Sequence, residues 1–213
     1  MRFIGIGRIN YLIILKNNMT VEQIIKKFEL FVDDGTELSA AEELDLLNDK
    51  YLEICSERPW EFLKKSFSGS INGTSITLPS DFQYILETEV NGVIGKFVFV
   101  GEKYYQLVCF QDRKNYENVG GYYWINIADK KLEFSESVSG TLTYNYLSIP
   151  NKLEAGESPI FPDRFHRAIS YLMATDDYAI QQFDKAKSYA KENEEKAEKL
   201  LDQMRYWDAN LFT

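Results

Sequence analysis

The sequence contains few of the residues on which catalytic and metal sites depend. Its 213 residues include one histidine, His166, and two cysteines, Cys55 and Cys109. A single imidazole excludes the catalytic and metal constellations that need several, and the two cysteines lie too far apart in sequence for a CxxC metal motif. They also form no disulfide framework, which indicates a reducing compartment or indifference to redox. We therefore expect a non-enzyme, with no catalytic residue, no metal site and no cofactor.

Positive charge is also scarce. The chain has 24 Lys and Arg against 33 Asp and Glu, which gives a formal net charge of −9 at pH 7. Proteins that grip nucleic acid use clustered Lys and Arg to displace counterions from phosphate, so this balance disfavours such a function. Long apolar runs are missing too. In the first 18 residues the longest is 11–15, too short for a secretion signal or a spanning helix, and we expect no membrane partner.

Apolar residues at helical spacing predict four helices. Two lie near the N-terminus, at 20–32 and 39–58, and each begins with a capping-box pattern. Two lie near the C-terminus, at 163–182 and 184–204. Each pair has one apolar face, and the simplest way to bury both faces is against each other. Residues 1–19 are interpreted as an N-terminal extension, and the native start is either Met1 or Met19.

Between the helical pairs, the pattern changes to strands. The chain alternates apolar and polar residues and is rich in Val, Ile, Tyr, Phe and Thr. Asn72 and Gly73 predict a hairpin turn. The predicted fold class is α+β, an antiparallel helical bundle of two N-terminal and two C-terminal helices with an inserted antiparallel β-sheet or barrel subdomain. Its predicted parts are 20–63 and 151–204 for the bundle halves, 64–150 for the β subdomain, and 205–213 for a C-terminal docking tail.

Aromatic residues make up 15% of the chain. Those at 104–105 and 122–124 have the chemistry to stack on sugars or bases, although alternation along strands assigns half of them to a core. His166 has the chemistry for a Ser-His-Asp arrangement, but no nucleophile elbow accompanies it. The tail is strongly apolar, and exposed apolar termini are typical of partner surfaces.

An ordered set of short motifs resembles the head–tail adaptor, or connector, proteins of tailed phages, including the tail-tubular ring proteins of short-tailed phages. A helical pair ends in a W-x-F segment, and a Leu-Pro-x-Asp-Phe turn and a Tyr-rich strand follow. Then Pro-x-x-Phe-His opens a helix, and a long last helix ends near a Met. These motifs stand here at 38–63, 78–82, 142–146, 161–168 and 184–204. The resemblance covers about residues 20–204.

The resemblance implies a virion structural protein. Such proteins form a ring, usually of twelve copies, that joins the portal protein to the tail nozzle or tube protein. Genomic DNA would pass through the ring without specific binding, because excess carboxylate repels phosphate. The protein would be made in the host cytoplasm and reside in the virion neck. The resemblance assigns portal docking to Tyr206, Trp207, Leu211 and Phe212, and subunit–subunit contacts to Tyr189, Leu200, Leu201 and Met204.

Three other interpretations stay open. One is an aromatic, β-rich binding module that recognises a glycan or a host surface. A second, within the phage class, is a neighbouring neck or stopper protein. The third is an enzyme built around His166.

Overall fold

The computed structural model describes residues 18–32, 38–180 and 184–211, which form a mixed α+β structure. The chain divides into two compact units. The first comprises the described residues of Met1–Tyr51 and Leu153–Tyr206, and the second comprises Leu52–Lys152 with the described end of Trp207–Thr213. The described helices are α1 (Val21–Phe31), α2 (Ala40–Ser56), α3 (Arg167–Met173), α4 (Asp177–Ile180) and α5 (Asp184–Ala209). None of them is both long and apolar enough to cross a membrane.

In the first unit, hydrogen bonds from buried polar side chains join the N-terminal helices to the residues that follow the strands. The Asn48 side-chain oxygen accepts a hydrogen bond from the Leu153 backbone N–H at 2.7 Å, and its amide donates to the Leu153 carbonyl at 3.1 Å. On α3, the Ser170 hydroxyl donates to the Ile24 carbonyl of α1 at 2.9 Å. Asn48 and Ser170 are both buried, so these bonds replace water that the fold excludes.

The predicted helix at 163–182 is wrong in its continuity. A 3₁₀ turn at Asp163–Phe165 leads into α3, and α4 begins only after Asp176. The Asp176 carboxylate accepts the Ala179 backbone N–H at 3.4 Å. An Asp side chain favours such a cap over a position inside a helix, because it satisfies a backbone donor that a helix start leaves unpaired. The periodicity of the apolar residues continues across this break and therefore conceals it. The bundle arrangement of the helices stays a prediction.

The described strands of the second unit form two sheets, one of six strands and one of two. The strand bounds are β1 (Lys64–Thr77), β2 (Phe82–Ile85), β3 (Thr88–Val90), β4 (Val93–Gly95), β5 (Phe97–Val100), β6 (Lys103–Leu107), β7 (Tyr122–Asn126) and β8 (Lys131–Ser148). Strands β5, β6, β7 and β8 pair in a closed ring, so this part is a small four-stranded barrel. Strands β1 and β2 also pair with β8, while β3 and β4 form a separate hairpin.

The predicted hairpin at Asn72-Gly73 is wrong. Strand β1 continues through both residues and pairs with β8 before and after them. Gly73 has φ +136° and lies where the pairing register shifts, since Gly73 pairs with Val138 and Ser75 with Glu133. Four residues of β8, 134–137, therefore lie opposite Thr74 alone, which makes a large β-bulge. Here the long-range pairing outweighs the local turn signal, and glycine serves the bulge instead.

The sequence predicts a purely antiparallel sheet, and this prediction is wrong for one pair of strands. Strands β6 and β7 pair in parallel, with Gln106 opposite Tyr122 and Leu107 opposite Tyr123. The intervening residues 108–121 include a 3₁₀ segment at Phe110–Asn115. A connection of this length lets the chain return in the same direction, whereas a tight hairpin would force an antiparallel pair.

We expect the barrel core to determine the stability of the second unit. Leu142 on β8 is fully buried in this core, so Leu142→Ala should lower the free energy of unfolding by about 2–5 kcal/mol. Trp60, Trp124 and Trp207 are the three tryptophans of the chain and all belong to this unit, so tryptophan fluorescence in a urea titration measures it. Leu30→Ala is the control, because Leu30 is 52% exposed in the first unit. An equal loss for both variants would contradict the assignment.

Candidate docking site at the end of the last helix

The C-terminal segment is not a separate tail. The sequence predicts that the last helix ends at Met204 and that residues 205–213 become ordered only on docking. In the structure α5 continues through Ala209, so this prediction is wrong for the described part of the segment. Phe212 lies outside the described residues. The physical reason for the extra helical turn is a buried carboxylate within it, Asp208.

Asp208 fixes the end of the chain inside the second unit. Its side chain is 2% exposed, and its Oδ1 accepts the Glu61 backbone N–H at 2.8 Å. Its Oδ2 lies 3.9 Å from the Arg58 guanidinium. Glu61 begins a 3₁₀ turn, Glu61–Leu63, and backbone donors at such a start need an acceptor. The carboxylate of Asp208 supplies it from the far end of the sequence.

The segment that Asp208 contacts is itself held rigidly. Trp60 is fully buried, and its indole N–H donates to the Ile54 carbonyl at 2.7 Å. Its ring stacks on Phe62 with centroids 5.5 Å apart, and the Arg58 guanidinium lies 5.2 Å from the Trp60 ring centroid. The W-x-F motif is therefore a structural anchor, and Asp208 attaches the end of α5 to it.

Burial raises the pKa of Asp208 above its ordinary value, while the Glu61 N–H and the Arg58 charge act in the opposite direction. The folded state thus binds a proton more readily than the unfolded chain. The contribution of this carboxyl to stability is fullest below its ordinary pKa and declines as the pH rises through the raised pKa. At neutral pH the buried carboxylate is charged, and an uncharged side chain of the same shape would avoid the cost of burying that charge.

The predicted docking residues occupy different environments. Tyr206 is 74% exposed, whereas Trp207 and Leu211 are half-buried. A tyrosine this exposed leaves most of its side-chain surface in contact with solvent. Portal docking by Tyr206, Trp207, Leu211 and Phe212 stays a prediction.

The four residues assigned to subunit contacts also separate into two groups. Tyr189 is 47% exposed and Leu200 is half-buried, so both offer surface to a second copy. Leu201 and Met204 are 6% and 0% exposed within the chain itself. Their apolar contacts are internal, and a subunit contact made on this helix would therefore use Tyr189 and Leu200.

His166 is a packing residue in the first unit. Its ring is fully buried, with Nε2 2.7 Å from the Phe161 carbonyl oxygen and Nδ1 3.2 Å from that of Met19. The Asp163 carboxylate lies 3.6 Å from Nδ1. Both nitrogens thus face protein oxygens, and the ring connects Met19, just before α1, to the segment that leads into α3. Burial lowers the pKa of His166, although the nearby oxygens oppose this shift.

The strand aromatics mostly fill the barrel. Tyr105, Tyr123 and Trp124 are 5% exposed or less, and the Trp124 indole N–H donates to the Glu133 carboxylate at 2.7 Å. Tyr104 is 46% exposed. Trp124, the residue best suited to stack on a glycan, therefore has no open face, and a glycan would need another surface.

Sequence reasoning missed Asp208 and the backbone of Glu61. The available signal was a single acidic residue inside the apolar stretch YWDANLF, since a charge there either faces solvent or has a buried partner.

Within the described residues, no group of three His, Cys, Asp or Glu side chains could hold a metal ion. In comparisons with known proteins, no protein-family model and no curated sequence matches this chain.

Removing the Asp208 carboxylate should destabilise the second unit. Asp208→Ala leaves the part-buried Glu61 N–H without its acceptor, at a cost of about 1–3 kcal/mol in unfolding free energy. Asp208→Asn keeps an oxygen acceptor and should cost much less. Urea titration followed by tryptophan fluorescence measures both. Asp112→Ala, at an exposed position of the same unit, should change little. A loss in Asp208→Asn as large as in Asp208→Ala would contradict the hydrogen-bond role.

The first unit should weaken in mild acid because of His166. Its folded-state pKa is lowered, so stability is present above the ordinary His value of about 6.5 and declines as the pH falls below it. Urea titrations of wild type and His166→Gln, followed by helical circular dichroism across this range, measure the effect. The variant should lose the part of the pH dependence that this ring causes. Identical pH profiles for the two proteins would rule out the ring as the cause.

Proposed function

We propose that this chain is a head–tail adaptor of a tailed phage, a ring-forming subunit that connects the portal to the tail. The observation that carries the proposal is the ordered set of adaptor-like motifs from residue 38 to residue 204. The chain order of helices, strands and helices supports it as well. In this proposal the helices form one bundle with the β region inserted, and the protein resides in the virion neck.

The environment of the W-x-F and Pro-x-x-Phe-His motifs supports the proposal. Trp60 and His166 are both fully buried. The Trp60 indole N–H donates to the Ile54 carbonyl at the end of α2, and the His166 ring lies 3.2 Å from the Met19 carbonyl oxygen, 147 residues away in sequence. Residues that hold a backbone in place are the ones expected to recur in a structural protein whose surface must assemble in one geometry. The proposal assigns them this scaffolding role.

The charge of the chain fits a DNA conduit. At −9 overall, a ring of copies would repel phosphate and let DNA slide without specific binding. The exposed positions of α5 carry Glu194, Glu195 and Glu198, with Lys191 and Lys199 among them.

Portal docking should depend on Tyr206. Wild-type protein mixed with the purified portal of the same phage should add a ring below it in negative-stain electron microscopy. Tyr206→Ala should weaken binding about tenfold or more, the usual cost of losing a central aromatic anchor. Deletion of 205–213 is a poorer test, because it also removes the buried Asp208.

The matched control is Tyr104→Ala, at a tyrosine that is 46% exposed in the β region. It should bind the portal as wild type does. A neck or stopper protein would join only after an adaptor, so absence of binding to the isolated portal would favour that alternative. Unchanged binding by Tyr206→Ala would remove the docking role from this helix end.

A further inference from the structure

A pocket opens on the barrel of the second unit. It has a volume of about 430 Å³, within the range of small-molecule sites. One wall comes from the β5–β6 hairpin and the other from the bulged part of β8. Its lining residues are Val100, Glu102, Lys103, Tyr105, Glu136, Ser137, Val138 and Ser139.

Both walls are shaped by the backbone. Gly101, at φ +62°, lies in the two-residue turn between the paired Val100 and Lys103, and its N–H donates to the Thr141 carbonyl at 3.0 Å. The bulge frees Glu136 from the β1 ladder and directs its carboxylate to the Tyr105 hydroxyl, which donates to it. Bulges often redirect side chains beside binding sites.

Gly120 gives the Glu136 carboxylate its room. A β-carbon at position 120 would lie 3.1 Å from a Glu136 carboxylate oxygen. Ser135, which precedes Glu136, is also held in place, because its hydroxyl donates to the Tyr122 carbonyl at 2.9 Å. The carboxylate is therefore positioned before any ligand arrives, which lowers the entropy cost of binding.

The lining contains charges of both signs. Glu102 and Glu136 would repel a phosphate or carboxylate ligand, and Lys103 would repel a simple cation. A neutral ligand with many hydroxyl groups meets no like charge, because its hydroxyls donate to the carboxylates and accept from the ammonium. Val100 and Val138, which are 7% exposed and 5% exposed, supply an apolar floor for C–H groups.

We propose that this pocket binds a saccharide unit, with Glu136, Glu102 and Lys103 as its polar contacts. Recognition uses hydrogen bonds to charged groups and an aliphatic floor, and it does not use ring stacking, since Tyr105 is 4% exposed. The proposal concerns the second unit alone and is independent of ring assembly. In this proposal the pocket, and not the buried Trp124, is the surface of the β region that would bind a glycan.

The test uses the full chain, labelled with ¹⁵N, and methyl glycosides of glucose, galactose, mannose and N-acetylglucosamine. At least one glycoside should shift the amide signals of residues 101–103 and 136–139. Glu136→Gln and Lys103→Met should each weaken its binding about three- to tenfold, because each removes a charged hydrogen-bonding partner. Glu89→Gln, at an exposed position on β3, should bind as wild type does.

The alternatives give different results. Tighter binding of the matching disaccharide would identify a polysaccharide as the source, whereas equal binding would identify a single sugar. Methylammonium and inorganic phosphate are the charged probes. The proposal is overturned if no glycoside shifts these amides, or if a charged probe does so in their place. A Lys103→Met variant that binds the glycoside more tightly would also overturn it.

Discussion

Strand β8 is the element on which the second unit depends. It pairs with β1, β2, β5 and β7, so the long β1–β8 ladder and the closed barrel share one strand. A strand with so many neighbours cannot change register without breaking all of these pairings. Its bulge at 134–137 lets one continuous strand serve both β1 and the barrel, since the extra residues bend the strand.

The same bulge connects structure to the proposed saccharide pocket. If β8 continued without extra residues, Glu136 would stay in the ladder opposite β1 and would not reach the Tyr105 hydroxyl. Tyr105 in turn packs edge-on against Phe134, with ring centroids 5.0 Å apart. Core packing and the polar pocket thus depend on two residues of one bulge, Phe134 and Glu136. The bulged part of β8 forms one wall of this pocket, and the β5–β6 hairpin forms the other.

The end of the chain shows how a distant carboxylate can set a helix boundary. Asp208 satisfies the backbone of Glu61 from 147 residues away in sequence. Because the Asp208 side chain is buried and makes this hydrogen bond, the last turn of α5 belongs to the fold and is not a free tail. The proposed docking residue Tyr206 therefore projects from an ordered helix. A partner that binds it would bear little of the entropy cost that ordering a flexible segment requires.

Sequence alone determined the helices at 20–32 and 39–58, the change to strands after residue 64, and the helical return after Pro162. Each of these features has a local cause, which is a capping residue, the spacing of apolar residues along the chain, or a proline. Tertiary structure decided the rest, because those choices rest on contacts between distant residues. Asn72-Gly73 became a bulge instead of a turn when β1 paired with β8, and β6 and β7 became parallel through a connection at 108–121. Likewise, the end of α5 and the pocket at Glu136 depend on Glu61 and Tyr105, which no local pattern relates to them.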